Sequence, residues 1–183
     1  MSLTIQIEPT KLPYDFHDMN KLAKAGFSHV KKYLNSLPNI AFVTNVEEDP
    51  YYQELDIDGI AGVKKDGAVW GQTFEIKVDT YFDKTKNYFF ETISNSNKCS
   101  EGCFLKSKAE YLFYYFLDRE LHIFKLKEGQ DWLIKHGENY NTAKVKNKFY
   151  YSEGILVPRE EFMKDNNVKV INMRQQNKEI YAS

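Results

Sequence analysis

Between residues 22 and 37 the spacings of three and four recur through Leu22, Ala25, Gly26, His29, Val30, Tyr33, Leu34 and Leu37, and Pro38 closes the run. That period predicts an amphipathic helix beginning at Asp15 or His17, with Lys21, Lys24, Lys31 and Lys32 on its polar side. Ahead of it, residues 1–14 carry Pro9 and Pro13 and are expected to be a short extended arm. From Ile40 the period shortens, and IAFVTNV predicts a strand or buried extended segment over 40–46, ended by Glu47, Glu48, Asp49 and Pro50. Strand alternation then governs 55–79, LDIDGIAGVKKDGAVWGQTFEIKVD, where Lys64-Lys65-Asp66-Gly67 is a turn that folds the first half back against the second. A third strand is expected at 88–93 (YFFETI), then a long polar loop over 94–107. A helix is expected over 108–118, where Ser107 and Glu110 have capping-box spacing and Ala109, Leu112, Phe113, Phe116 and Leu117 form an apolar stripe. A strand follows at 120–126, with His122 expected on its surface. Further on the pattern gives a short helix at 129–136, a lysine-bearing loop at 141–148, a strand at 149–157, a helical turn at 158–163 and a short strand at 168–172.

The stretch 55–79 also carries the candidate chemistry. In an extended strand alternate side chains share a face, so Thr73, Glu75, Lys77 and Asp79 point one way while Phe74, Ile76 and Val78 point the other. Asp56 and Asp58 share a face by the same parity, with Ile57 opposite, and the hairpin brings an aspartate toward the Glu-x-Lys pair. Two carboxylates from neighbouring strands make an oxygen-rich site for Mg²⁺ or Mn²⁺, and a lysine on the same face can orient water or stabilise charge on a phosphate. The plainer reading is that such a row is the solvated side of a strand. Glu91, in the apolar third strand, needs a partner because an unpaired buried carboxylate is costly. It reads as a further metal-site carboxylate, as the partner of Lys77, or as the top of an edge strand. Gln53 precedes the acidic pair as a further polar candidate.

Composition narrows the classes. A chain of 183 residues, 42% hydrophobic and holding thirteen Phe and thirteen Tyr, is long and apolar enough to build one domain around a buried core. The formal net charge of −1 excludes the strongly basic class, so any contact with nucleic acid must come from local lysines. Lysines outnumber arginines twenty-two to three, a balance that favours attraction to phosphates over bidentate reading of bases. No apolar run is long enough to span a membrane and no charged-then-apolar leader opens the chain, so a soluble, intracellular protein without a membrane partner is expected. Cys99 and Cys103 lie beside no histidine pair at metal-ligand spacing and are expected to be free thiols.

At Asp58, Glu75 and Lys77 the chain resembles the PD-(D/E)XK nuclease superfamily, restriction-endonuclease-like and Holliday-junction-resolvase-like. Its signature is an Asp on one strand and (Asp/Glu)-x-Lys on the next, with a helix and a further strand behind. Asp56 rivals Asp58 for the first position, and Ile57 stands where the signature has Pro. FFETISN followed by GCFLKSKAEYLFYYF is also similar to phage and prophage members. The resemblance covers residues 17–126 and implies an α/β fold with an αβββαβ core. In it a central mixed sheet is flanked by helices, with strand and helix additions over 127–183 of the same domain. It implies a metal-dependent endodeoxyribonuclease in which Asp58, Glu75 and the Ile76 carbonyl bind Mg²⁺ or Mn²⁺ and Lys77 positions the attacking water. Asp56 and Glu91 are accessory, and Lys106 and Lys108, at a helix start, are DNA-phosphate contacts. The implied partner is DNA, with a homodimer suited to a two-strand cut, in the cytoplasm of a bacterial or phage-infected cell. The alternative is a non-catalytic module on the same fold that binds nucleic acid or protein.

Overall fold

The computed structural model describes residues 5–6, 16–147 and 149–174, with side chains from residue 20 on. Its elements in chain order are β1 (Ile5–Gln6), α1 (Phe16–Asn35), β2 (Ile40–Asn45), α2 (Pro50–Glu54), β3 (Gly59–Lys65), β4 (Ala68–Asp79), β5 (Asn87–Asn95) and β6 (Ser100–Glu101). Then come α3 (Cys103–Lys106), β7 (Tyr111–Phe116), β8 (Glu120–Lys125), α4 (Leu126–His136), a 3₁₀ turn (Gly137–Asn139), β9 (Thr142–Lys146), β10 (Tyr151–Pro158), α5 (Arg159–Asp165) and β11 (Lys169–Asn172). The fold is α/β.

A mixed six-stranded sheet runs in the order β11-β8-β7-β4-β3-β2. Strands β2, β3 and β4 form an antiparallel meander, β7 lies parallel to β4, and β8 and β11 continue antiparallel. A second sheet, β1-β9-β10-β5-β6, is built from strands far apart in sequence. The expected hairpin closes through Asp66 (φ 53°) and Gly67 (φ 77°), both left-handed, as a two-residue turn between twisted strands requires.

Alternation on β4 and β7 divides the core in two. Phe74 on β4 and Phe113 and Tyr115 on β7 pack with Phe27, Val30, Tyr33 and Leu34 of α1. Leu112, Tyr114 and Phe116, on the opposite face of β7, pack with Tyr88 and Phe90 of β5, Phe104 of α3, Leu133 of α4 and Phe162 of α5. One sheet face is therefore covered by α1 and the other by the second sheet with α3, α4 and α5.

Several expectations are corrected. The segment 108–118 holds strand β7, not a helix: YLFYYF is a near-continuous apolar run, five of its six residues are buried, and a central strand covered on both faces takes that pattern. Ser107 and Glu110 do not cap a helix; Ser107 ends α3, and Glu110 exchanges hydrogen bonds with Thr73 of β4. The strand at 88–93 forms, but it pairs with β10 in the second sheet, so residues after 126 complete the covering layer. Residues 142–146 of the expected lysine loop are strand β9, because β1 and β10 flank them with hydrogen-bonding edges; Lys148 lies outside the described residues. The polar loop 94–107 contains β6 and α3. Helix α2 had not been expected; Asp49 caps it and Pro50 opens it. His122 is buried, not on the surface, since β5 brings Tyr88 over it. Of the N-terminal arm only Ile5 and Gln6 are described, as a strand parallel to β9.

Candidate active site

In the row Thr73, Glu75, Lys77 and Asp79, the last three face the second sheet, with Glu75 buried and Thr73 at the exposed end. Their cover comes from β5 and α3, and Glu75 retains only 7% exposure. The plain reading of a solvated strand face fails on this burial. Most of the row has partners: the Thr73 main-chain N–H donates to Glu110 at 3.0 Å, Lys77 Nζ lies 3.8 Å from Glu91 Oε2, and Asp79 Oδ2 accepts from the Tyr114 hydroxyl at 2.7 Å. Glu75 differs, because its Oε2 is buried without a hydrogen-bond partner.

Asp58 lies immediately before β3, where the ladder with β4 has one pairing left to make. Its main-chain N–H donates to the Phe74 carbonyl at 3.1 Å, and its side chain supplies the missing acceptor, taking the Ile76 N–H at 2.7 Å through Oδ2. This fixes the carboxylate against Glu75, close enough for the two carboxyl groups to share a proton. Burial, with Glu47 and Asp56 adding repulsion against the Ile76 hydrogen bond, pushes the Asp58 carboxyl up to about 7. Burial and the charges of Asp58 and Asp56 hold Glu75 well above the usual carboxylate range. Two acids that resist ionising side by side await a positive charge.

Asp56 does not continue the extended run that Asp58 opens. It sits in a turn with φ 55°, a left-handed conformation that aspartate tolerates better than most side chains. The Ser107 hydroxyl donates to its carbonyl at 2.6 Å, and the Lys108 N–H donates to the Leu55 carbonyl at 2.9 Å, so α3 is latched to this turn. Gln130 of α4 braces α3 from behind by donating to the Phe104, Leu105 and Ser107 carbonyls. The latch sets Lys106 Nζ 3.1 Å from Asp56 Oδ1, while Asp56 Oδ2 is buried without a partner. Asp58 is thus the aspartate joined to the Glu-x-Lys strand, and Asp56 is the one that holds Lys106.

Lys77 lies between Glu91 and the Phe89 ring, whose centroid is 5.9 Å from Nζ. Burial opposes its charge, but the nearby Glu91 and Asp79 carboxylates outweigh burial and raise its pKa, so it stays an ammonium. Cys103 and Phe89 were not foreseen at the site; the Cys-rich loop and the aromatic strand reach it only through tertiary pairing. Both cysteines are free, and burial pushes the Cys103 thiol up. Gln53 turns to the Glu47 carbonyl, and the Lys108 side chain is exposed.

Among the described residues no group of three or more His, Cys, Asp or Glu side chains is arranged to hold a metal ion. The chemistry of the pair Asp58 and Glu75 nonetheless fits one: two buried oxygen donors repel each other, and one oxygen of Glu75 has nothing to bond. No helix among the described residues is long and apolar enough to cross a membrane. No protein-family model matches the sequence, and no curated protein or solved structure matches it.

Proposed function

We propose that the chain is a divalent-metal-dependent deoxyribonuclease of the PD-(D/E)XK type. The observation that carries this is the partnerless, buried Glu75 Oε2 beside Asp58, two residues before a lysine kept charged. The element succession supports it: an aspartate at the start of one strand, Glu-x-Lys on the next, then a short helix and a parallel strand behind them.

Asp58, Glu75 and the Ile76 carbonyl would hold Mg²⁺ or Mn²⁺. A bound ion supplies polarisation of a phosphate oxygen and a more acidic water. Lys77, fixed by Glu91 and Phe89, presents its ammonium on the Glu75 face, where it orients the attacking water and offsets charge developing on the phosphate. Asp58 is tied through the Ile76 N–H to the strand that carries Glu75 and Lys77. Lys106, which is paired with Asp56 beside the site, is the candidate contact for a DNA phosphate.

The test is cleavage of labelled single-stranded, duplex and branched DNA with Mg²⁺, with Mn²⁺ and with chelator, beside the Glu75→Ala, Lys77→Ala double variant. The expected result is metal-dependent cleavage that falls by about 10² or more in the variant, the scale lost with one charge-stabilising group. DNA bound but never cut assigns the chain to the binding-module class instead.

A further inference from the structure

The face that carries Glu75 continues past the cover of the second sheet. By register, Thr73 is opposite Ile60 and Gly71 opposite Gly62 on β3, and Phe42 and Thr44 of β2 lie on the same face beside Gly62 and Ile60. Of the two paired glycines, only Gly71 leaves this face bare of side chains. A Cβ on Gly62 would collide with the Phe42 ring, so that ring covers the glycine, whereas a Cβ on Gly71 would meet only Ile60, at 3.5 Å. Phe42 is 46% exposed, with its outer face open. Residues 64–71 are all exposed, and Lys64 closes this face at the hairpin end. Four strand residues separate Glu75 from Gly71, roughly 13 Å at about 3.3 Å each, within a few stacked nucleotides at about 3.4 Å per step.

We infer that this strip is a track for unpaired DNA, with one base stacked on the exposed side of Phe42 and the backbone drawn to Lys64, leading into the Asp58 and Glu75 site. The inference rests on the nuclease reading and narrows its substrate to single-stranded or frayed DNA. Two observations select that occupant over a duplex or a second protein copy. A half-exposed ring beside the bare Gly71 offers a surface the size of one base, not a groove for a helix. The strip also joins a cation at one end to the candidate phosphate site at the other, which suits a polyanion. Arg119 is occupied by Asp83 and Arg159 by Phe82, so neither is offered for reading base edges, consistent with stacking without sequence preference.

The experiment is an anisotropy titration of a fluorescein-labelled oligothymidylate, and of a duplex of equal length, with the full chain in Ca²⁺ and in chelator. Phe42→Ala is expected to weaken the oligothymidylate about 5- to 100-fold and the duplex less than about twofold. Phe42→Trp restores binding. Phe42→Leu, which still covers Gly62, keeps the wild-type melting temperature yet binds as weakly as Phe42→Ala. Trp70→Ala, on the opposite sheet face, changes neither DNA. Unchanged oligothymidylate affinity in Phe42→Ala, or equal losses on both DNAs, overturns the inference. A dimer that Phe42→Ala abolishes while DNA affinity stays also overturns it and gives the strip to a second copy. Wild type that cuts DNA while Phe42 is silent sinks the track alone; Phe42-dependent binding in a chain that never cuts sinks the nuclease alone.

Discussion

The main-chain N–H of Ile76 donates to Asp58 Oδ2 at 2.7 Å, so the aspartate is bonded to the residue between Glu75 and Lys77. This one bond ends the β3–β4 ladder and holds two carboxyl groups face to face, while burial, acting against the bond's own pull on Asp58, leaves both poorly ionised. The pair is a local cost to stability that a bound cation would remove.

That cost has a pH signature. The Asp58 carboxyl moves from 3.8 to about 7 on folding, so the folded chain keeps a proton that the unfolded chain releases. Its contribution is complete below about pH 4 and is lost as the pH rises through about 7. Metal-free wild type should therefore melt lower at pH 8 than at pH 5. Asp58→Asn, whose amide oxygen can still accept the Ile76 N–H, should be flatter and at pH 8 more stable by about 1–4 kcal/mol. Thermal melts in chelator at the two pH values check this.

The helix α1 and the β3–β4 hairpin were legible because each rests on a local signal, a 3.6 period closed by Pro38 and an Asp-Gly turn between alternating strands. Strand β7 was not, because Ser107 and Glu110 have capping-box spacing and an apolar run covered on both faces has lost its alternation. Asp58, Glu75 and Lys77 could be named from spacing, yet their burial could not. The cover comes from β5, whose partner β10 lies some sixty residues later, and from α3, latched through Ser107 to Asp56. For the same reason the sequence left open whether Asp56 or Asp58 faces Glu75.

Lys77 and Glu91 lie on different sheets, and their 3.8 Å contact ties the two layers together at the site. In a double-mutant cycle, Lys77→Met and Glu91→Gln should each destabilise the chain, and the double variant should lose less than the sum, with a coupling of about 1 kcal/mol. Urea melts of the four proteins measure it; additive losses would mean that the two charges act independently.

His122 accepts from Tyr88, whose hydroxyl burial keeps protonated, at Nδ1 (2.6 Å) and donates from Nε2 to Glu120 (2.8 Å). Burial lowers its pKa against the pull of Glu120, so it is expected to stay neutral, as the Nε2–H tautomer, to a pH below 6.5. With a lowered folded pKa, the stability it contributes is present above 6.5 and is lost as the pH falls. Two-bond nitrogen–proton spectra of the imidazole report both tautomer and titration.

The most direct measurement is calorimetric titration of Mn²⁺ into the purified chain near pH 8. The wild type should bind at a site that Asp58→Asn, Glu75→Gln abolishes and Glu91→Gln retains, with a rise in melting temperature that tracks saturation. Wild type that takes up no Mn²⁺, or uptake that survives loss of both carboxylates, would contradict the assignment of Asp58 and Glu75 as the metal-binding pair.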